Sequence, residues 1–160
     1  MSNALVEHSE QQAKARCYAG RAALTAEATV IQHDGQPPVP TLNLDVAPRQ
    51  GESIQWNSKI TLQLGEVELP LFAAVCLGYL PKAHFKRPTK GIVIERQPNK
   101  LFISATQGQG TAYALPIPIA QTYQLGTLAL AQLKKQAIVD DAELLLAALR
   151  GAAALYSSQG

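Results

Sequence analysis

Only two of the 160 residues are cysteine, Cys17 and Cys76, and they stand far apart, outside any CxxC pair or Cys/His cluster. That excludes a disulfide framework and leaves a structural zinc without ligands, so both thiols are expected to be reduced. Histidine is scarce too: His8, His33 and His84 lie in polar stretches, and none has a neighbouring nucleophile or second metal ligand in sequence. No apolar run approaches the roughly 18 residues that cross a bilayer, and the opening residues lack the apolar centre of a signal peptide. A soluble cytoplasmic protein is expected, nucleoid-associated if bacterial, with no membrane partner. A phosphate-cradling loop is missing as well, because Gly108-Gln109-Gly110 joins two strand-like runs and no helix follows it. With no catalytic residue, metal or cofactor to name, the chain reads as a binding protein and not an enzyme.

What is present is a globular composition, 47% hydrophobic and 16% charged, of a length that suits one domain. The net charge of +2 gains meaning only when mapped. Between residues 82 and 100 the cations Lys82, Lys86, Arg87, Lys90, Arg96 and Lys100 face Glu95 alone, a local surplus of five, so the rest of the chain carries a deficit of three. Charges clustered within about 10 Å act together on a polyanion, whatever the net charge of the molecule.

Patterning divides the chain into two similar halves. Residues 1–16 are polar and aperiodic and read as a flexible segment. Alternation over Arg21–Ile31, Thr41–Pro48 and Lys59–Leu64 predicts three strands, with Leu42, Leu44, Val46, Ile60, Leu62 and Leu64 inward. The apolar run Glu66–Leu80 predicts a buried helix, with Pro70 tolerated near its first turn. A basic connection over 81–88 leads to strands at Lys90–Gln97, Lys100–Thr106 and Thr111–Ile119, then a helix over Ala120–Gln136. Pro116 and Pro118 remove donors on one side of their strand only, which places it at a sheet edge. Asp140 is positioned to cap a last helix over Ala142–Tyr156, with Glu143 reaching back. The expected organisation is a flexible segment over 1–16, a domain over 17–137 and a helical extension over 138–160.

Three stretches carry a resemblance. Tyr18-Ala19-Gly20-Arg21-Ala22-Ala23-Leu24-Thr25, Gln55-Trp56-Asn57-Ser58-Lys59 before Ile60-Thr61-Leu62, and the run from Lys90 through Lys100-Leu101-Phe102-Ile103-Ser104 into the Pro-Ile strand and its helix follow one another in order. Together they resemble the Whirly family of single-stranded DNA-binding transcriptional regulators over about residues 17–136. Ala19 stands where that family has its first lysine and Arg21 where it has its second, the mark of a diverged relative. The resemblance implies an α+β fold of two antiparallel four-stranded sheets, each followed by a helix, with the C-terminal helix as an addition. It also implies a homotetramer with single-stranded DNA across the sheets. The fourth strand of each sheet comes from the resemblance alone.

Holding a single strand takes cations along its phosphates and flat apolar groups under its bases. Strand parity turns Arg21, Lys59, Lys100 and Phe102 outward. Phe102 beside Lys100 is either a stacking platform or a residue covered by a helix or second subunit. Trp56 and Tyr18 sit where parity fails, and each reads as a lid or a stacker. In the basic connection His84, Phe85, Lys86 and Arg87 place an aromatic among cations, and Lys90 and Arg96 extend the charge. These twelve residues are the candidate surface. The function expected is sequence-tolerant single-stranded DNA binding in replication, recombination, repair or transcription. RNA binding by the same fold is the alternative, and a protein-interaction scaffold working through the C-terminal helix is a third reading.

Overall fold

Alternation of side chains along short β-prone runs builds the molecule. In the computed structural model, which describes residues 13–158, nine strands and three helices follow in order. The strands are β1 (Lys14–Tyr18), β2 (Ala22–Ile31), β3 (Val39–Gln50), β4 (Ser53–Ile54) and β5 (Ile60–Gln63) in the first half, and β6 (Lys82–Lys86), β7 (Lys90–Gln97), β8 (Lys100–Gln107) and β9 (Thr111–Ile117) in the second. Helix α1 (Glu68–Cys76) separates the halves, and α2 (Ile119–Gln136) and α3 (Ala142–Ser158) end the chain.

Sheet one runs β1-β2-β3, all antiparallel, and two segments share the far edge of β3: β5 pairs with Asn43–Val46, and the two-residue β4 with Arg49 and Gln50. Sheet two is the antiparallel meander β6-β7-β8-β9. This is the α+β arrangement of two sheets, each followed by a helix, with an additional C-terminal helix. The three strands that patterning did not reveal are the two-residue β4, β1 and β6. Lys14 to Arg16, expected to be a flexible lead-in, is strand paired to Thr25–Glu27; the rest of that segment, residues 1–12, lies outside the described residues. The basic connection likewise contains a strand, with Ala83 and Phe85 buried opposite Ile94 and Ile92.

Register puts Cys17, Leu24, Val46, Leu44 and Leu62 on the inner side of sheet one, and Phe85, Ile92, Ile94, Ile103 and Leu115 on that of sheet two, in one continuous core. The helices weld the halves by packing across them. Helix α1 follows sheet one but packs on β6 and β7 and on α2, while α2 follows sheet two but packs on β1 and β3. From α2, the buried Gln132 donates its amide to the carbonyls of Thr41 (2.8 Å) and Thr29 (3.2 Å), and Gln136 donates to Pro40. Buried amides of this kind are tolerated only when so satisfied. Burial pushes the Cys17 thiol up to about 11 and that of Cys76 up to about 12, so both free cysteines are protonated.

Helix ends account for two departures from the sequence reading. Helix α1 stops at Cys76 because Gly78, at φ 90°, turns the chain left-handed, and the amides of Gly78 and Tyr79 close back on the carbonyls of Val75 and Ala74. The cap of α3 is Asp141, whose carboxylate accepts from the amides of Glu143 and Leu144, while Asp140 pairs with Lys134 at 3.4 Å. β9 is an edge of sheet two, as expected, with Pro116 in the strand, but the strand ends at Ile117 and Pro118, read as part of it, is the N-cap of α2.

Candidate nucleic-acid interface

Each sheet has an outer side directed away from its core residues, and the two differ in chemistry. On sheet one the outer rows are Lys14-Glu27-Asn43-Gln63, Arg16-Thr25-Asp45-Thr61, and Tyr18-Ala23-Ala47 continuing toward Lys59. Asp45 sits in the middle and is fully engaged: Thr61 donates to it at 2.7 Å, Asn43 at 3.1 Å, and Lys59 pairs with it at 3.3 Å. Lys59 is therefore a neutralised cation. At the end of this face Arg21 is exposed beside Arg49, whose guanidinium is turned to the carbonyls of Gly51 and Ala19. Tyr18 is 53% exposed on the edge strand. Trp56 lies half-buried in a 3-10 turn before β5, next to Ser58, whose carbonyl accepts from the Tyr113 hydroxyl at 2.9 Å.

The outer rows of sheet two are Lys82-Glu95-Phe102-Pro116, His84-Val93-Ser104-Ala114 and Lys86-Gly91-Thr106-Ala112, with Lys100 exposed beyond the first row at the Pro98-Asn99 turn. The centre of this face is small and uncharged, and Phe102 is half-buried in it between Glu95 and Pro116. Cations line the β6 side. Lys86 is exposed, and neither it nor Lys90 or Lys100 forms an ion pair among the described residues. Lys82 reaches Glu95 only at 3.9 Å. Burial lowers the His84 pKa, and the charges of Lys86 and Lys82 lower it further, so the ring is neutral at pH 7.

Three residues of the candidate surface are committed elsewhere. Phe85 is fully buried, its ring 6.4 Å from that of Phe72, because it occupies an inward position of β6. Arg87 grips the Glu68 carboxylate with two nitrogens, at 2.7 and 3.0 Å, and also donates to the carbonyls of Gln63 and Lys86. It staples the end of β5, the start of α1 and the end of β6. Burial raises the Glu68 pKa, but the hydrogen bonds from Arg87 and the Gly65 amide, with the Arg87 charge, outweigh this and hold it below the ordinary range. Arg96 donates to the carbonyls of Val75 and Cys76 at the end of α1, where a cation meets the negative end of the helix.

With this geometry established, two solved structures are similar in fold. One, described as crystal structures of Trypanosoma bruciei MRP1/MRP2, superposes with a TM-score of 0.58 at 12% identity over 84% of this chain and 92% of that one. The other, a guide-RNA-binding protein complex bound to a guide RNA, has a TM-score of 0.50 at 14% identity over 71% of this chain and 92% of that one. This chain shares their fold. No family model and no curated protein matches it.

The structure also brings forward residues that sequence reasoning left out. Lys14 and Arg16, exposed on β1, have no ion pair among the described residues. Gly91, Val93, Ser104 and Thr106 form the floor around Phe102 and His84. A period of two was present in Lys14-Ala15-Arg16-Cys17-Tyr18 and in Lys82-Ala83-His84-Phe85-Lys86, and it would have found both edge strands.

Proposed function

We propose that this protein binds single-stranded nucleic acid on the outer side of sheet two, as a binding protein without a catalytic step. The observation that carries this reading is the face itself. A ring, Phe102, lies in a flat uncharged floor, with Lys82, Lys86 and Lys100 around it and a single acid, Glu95. Bases stack on such a ring without sequence preference, while the lysines follow the phosphates. Sheet one, with Asp45 and Glu27 in its outer rows, is the less favourable of the two for a polyanion.

RNA is the better-supported ligand, because the similar solved complex is described as bound to a guide RNA. The Whirly resemblance supports single-stranded DNA. It also supports a homotetramer, and the exposed Ile119, Tyr123, Ile138 and Leu144 on and beside α2 and α3 supply apolar surface for such an assembly. Fluorescence anisotropy with matched RNA and DNA oligonucleotides tests the reading. Binding that weakens steeply with salt, and more tightly to RNA, is the expected result. Absence of binding to either strand at low salt would overturn it.

A further inference from the structure

At the end of sheet two an open depression of about 410 Å³ is lined by His84, Pro88, Thr89, Lys90, Gly91, Thr106 and Gly108. Its floor depends on a missing side chain. A Cβ at Gly91 would lie 3.2 Å from His84 Nε2 and 3.2 Å from the carbonyl oxygen of Phe85. The imidazole therefore lies against the backbone of β7 in the space that any other residue would fill. Around it stand Lys82 and Lys86 on its own strand, Lys90 and Val93 on β7 and Thr106 across on β8, and the one acid nearby, Glu95, faces Lys82. Lys90 is half-buried at the rim and has no ion partner among the described residues. A flat ring, a hydroxyl and unpaired ammonium groups with no acid in the lining match a nucleotide: a base for the ring and a phosphate for the cations.

We propose that this depression seats one nucleotide of the bound strand, its base resting on the His84 imidazole above Gly91 and its phosphate reached by Lys90 and Lys86. The inference rests on the single-strand reading above and adds a second stacking position to Phe102. His84 shares its row with Ser104, two residues along β8 from Phe102 and two strands across, on the order of 12 Å by strand rise and spacing, so a short run of nucleotides spans the two rings. A phosphate beside His84 favours the imidazolium, so binding should tighten as the pH is lowered and the ring takes up a proton.

The test uses the full chain and a labelled dodecamer of oligouridylate, with anisotropy read at pH 6.0 and 7.5 and melting curves as a check on folding. His84→Ala is expected to weaken binding about tenfold at pH 7.5, the size of one stacked base. His84→Phe should keep the affinity at pH 7.5 and abolish the tightening at pH 6. Lys90→Ala should weaken binding and flatten the salt dependence. If the wild type binds and His84→Ala and Lys90→Ala bind equally well with unchanged pH profiles, the nucleotide seat is overturned and the broader reading stands. If His84→Phe is as weak as His84→Ala, the ring is not a stacking seat. If the wild type binds no oligonucleotide at low salt, both readings fail together.

Discussion

Phe85 and Phe102 show how much a side chain's job depends on which side of a strand it occupies. Phe102 stands on the outer floor of sheet two, and its replacement by alanine should weaken oligonucleotide binding about tenfold, measured by anisotropy, with little change in melting. Phe85→Ala should do the opposite: removing a fully buried ring costs roughly 3–5 kcal/mol in denaturant unfolding. Lys86 and Arg87 form a similar pair. Lys86→Ala should reduce the slope of log affinity against log salt by about 0.7, one phosphate's share on a single strand, whereas Arg87→Ala should lower stability and leave the slope in place. The Arg87 partner adds a pH signature. Folding lowers the Glu68 pKa below its ordinary 4.5, so the stability this provides is complete above that value and is lost as pH falls through the lower folded value. Glu68→Gln should therefore cost stability at pH 7 and approach the wild type in acid, as followed by thermal melting across pH.

At the scale of the element, long alternating runs were legible and short charged ones were not. β8 and the inward faces of β3 and β5 emerged from periodicity because the sequence alternates over six or more residues at 41–48, 59–64 and 100–106, and β7 emerged as a β-rich run before the Pro98-Asn99 turn. β1 and β6 are five residues each and bury only two side chains apiece, and their period of two went unread because it lies within stretches dominated by charge. Missing β6 turned Phe85 outward, and Arg87, in the loop after β6, was misread because its partner Glu68 lies 19 residues earlier in the chain. Arg96 was misread for another reason: its charge was visible, but the carbonyls it serves belong to a helix end 20 residues earlier in the chain, a relation only the tertiary structure creates. Arg96→Ala is expected to cost about 0.5–1 kcal/mol of stability through the exposed end of α1 and to leave the salt slope of binding unchanged.

For the whole molecule, one core with crossing helices ties sheet one to a helix that begins 56 residues after that sheet ends. The Gln132 amide reaches Thr41 across 91 residues and closes the ends of β2 and β3, which otherwise pair as a ten-residue hairpin. If the protein assembles through the apolar residues around α2 and α3, light scattering should give four copies, and Tyr123→Lys should reduce the number.

That reach of Gln132 has a consequence for synthesis. On the ribosome the β2–β3 hairpin can form early from local contacts, yet its seal emerges only after sheet two has been made, so neither half can finish alone. A chain ending before α2 should then exchange its β3 amide hydrogens quickly, where the whole protein holds them until it unfolds globally. What looks like two repeated halves should therefore unfold as a single cooperative unit, completed by nearly its last secondary element.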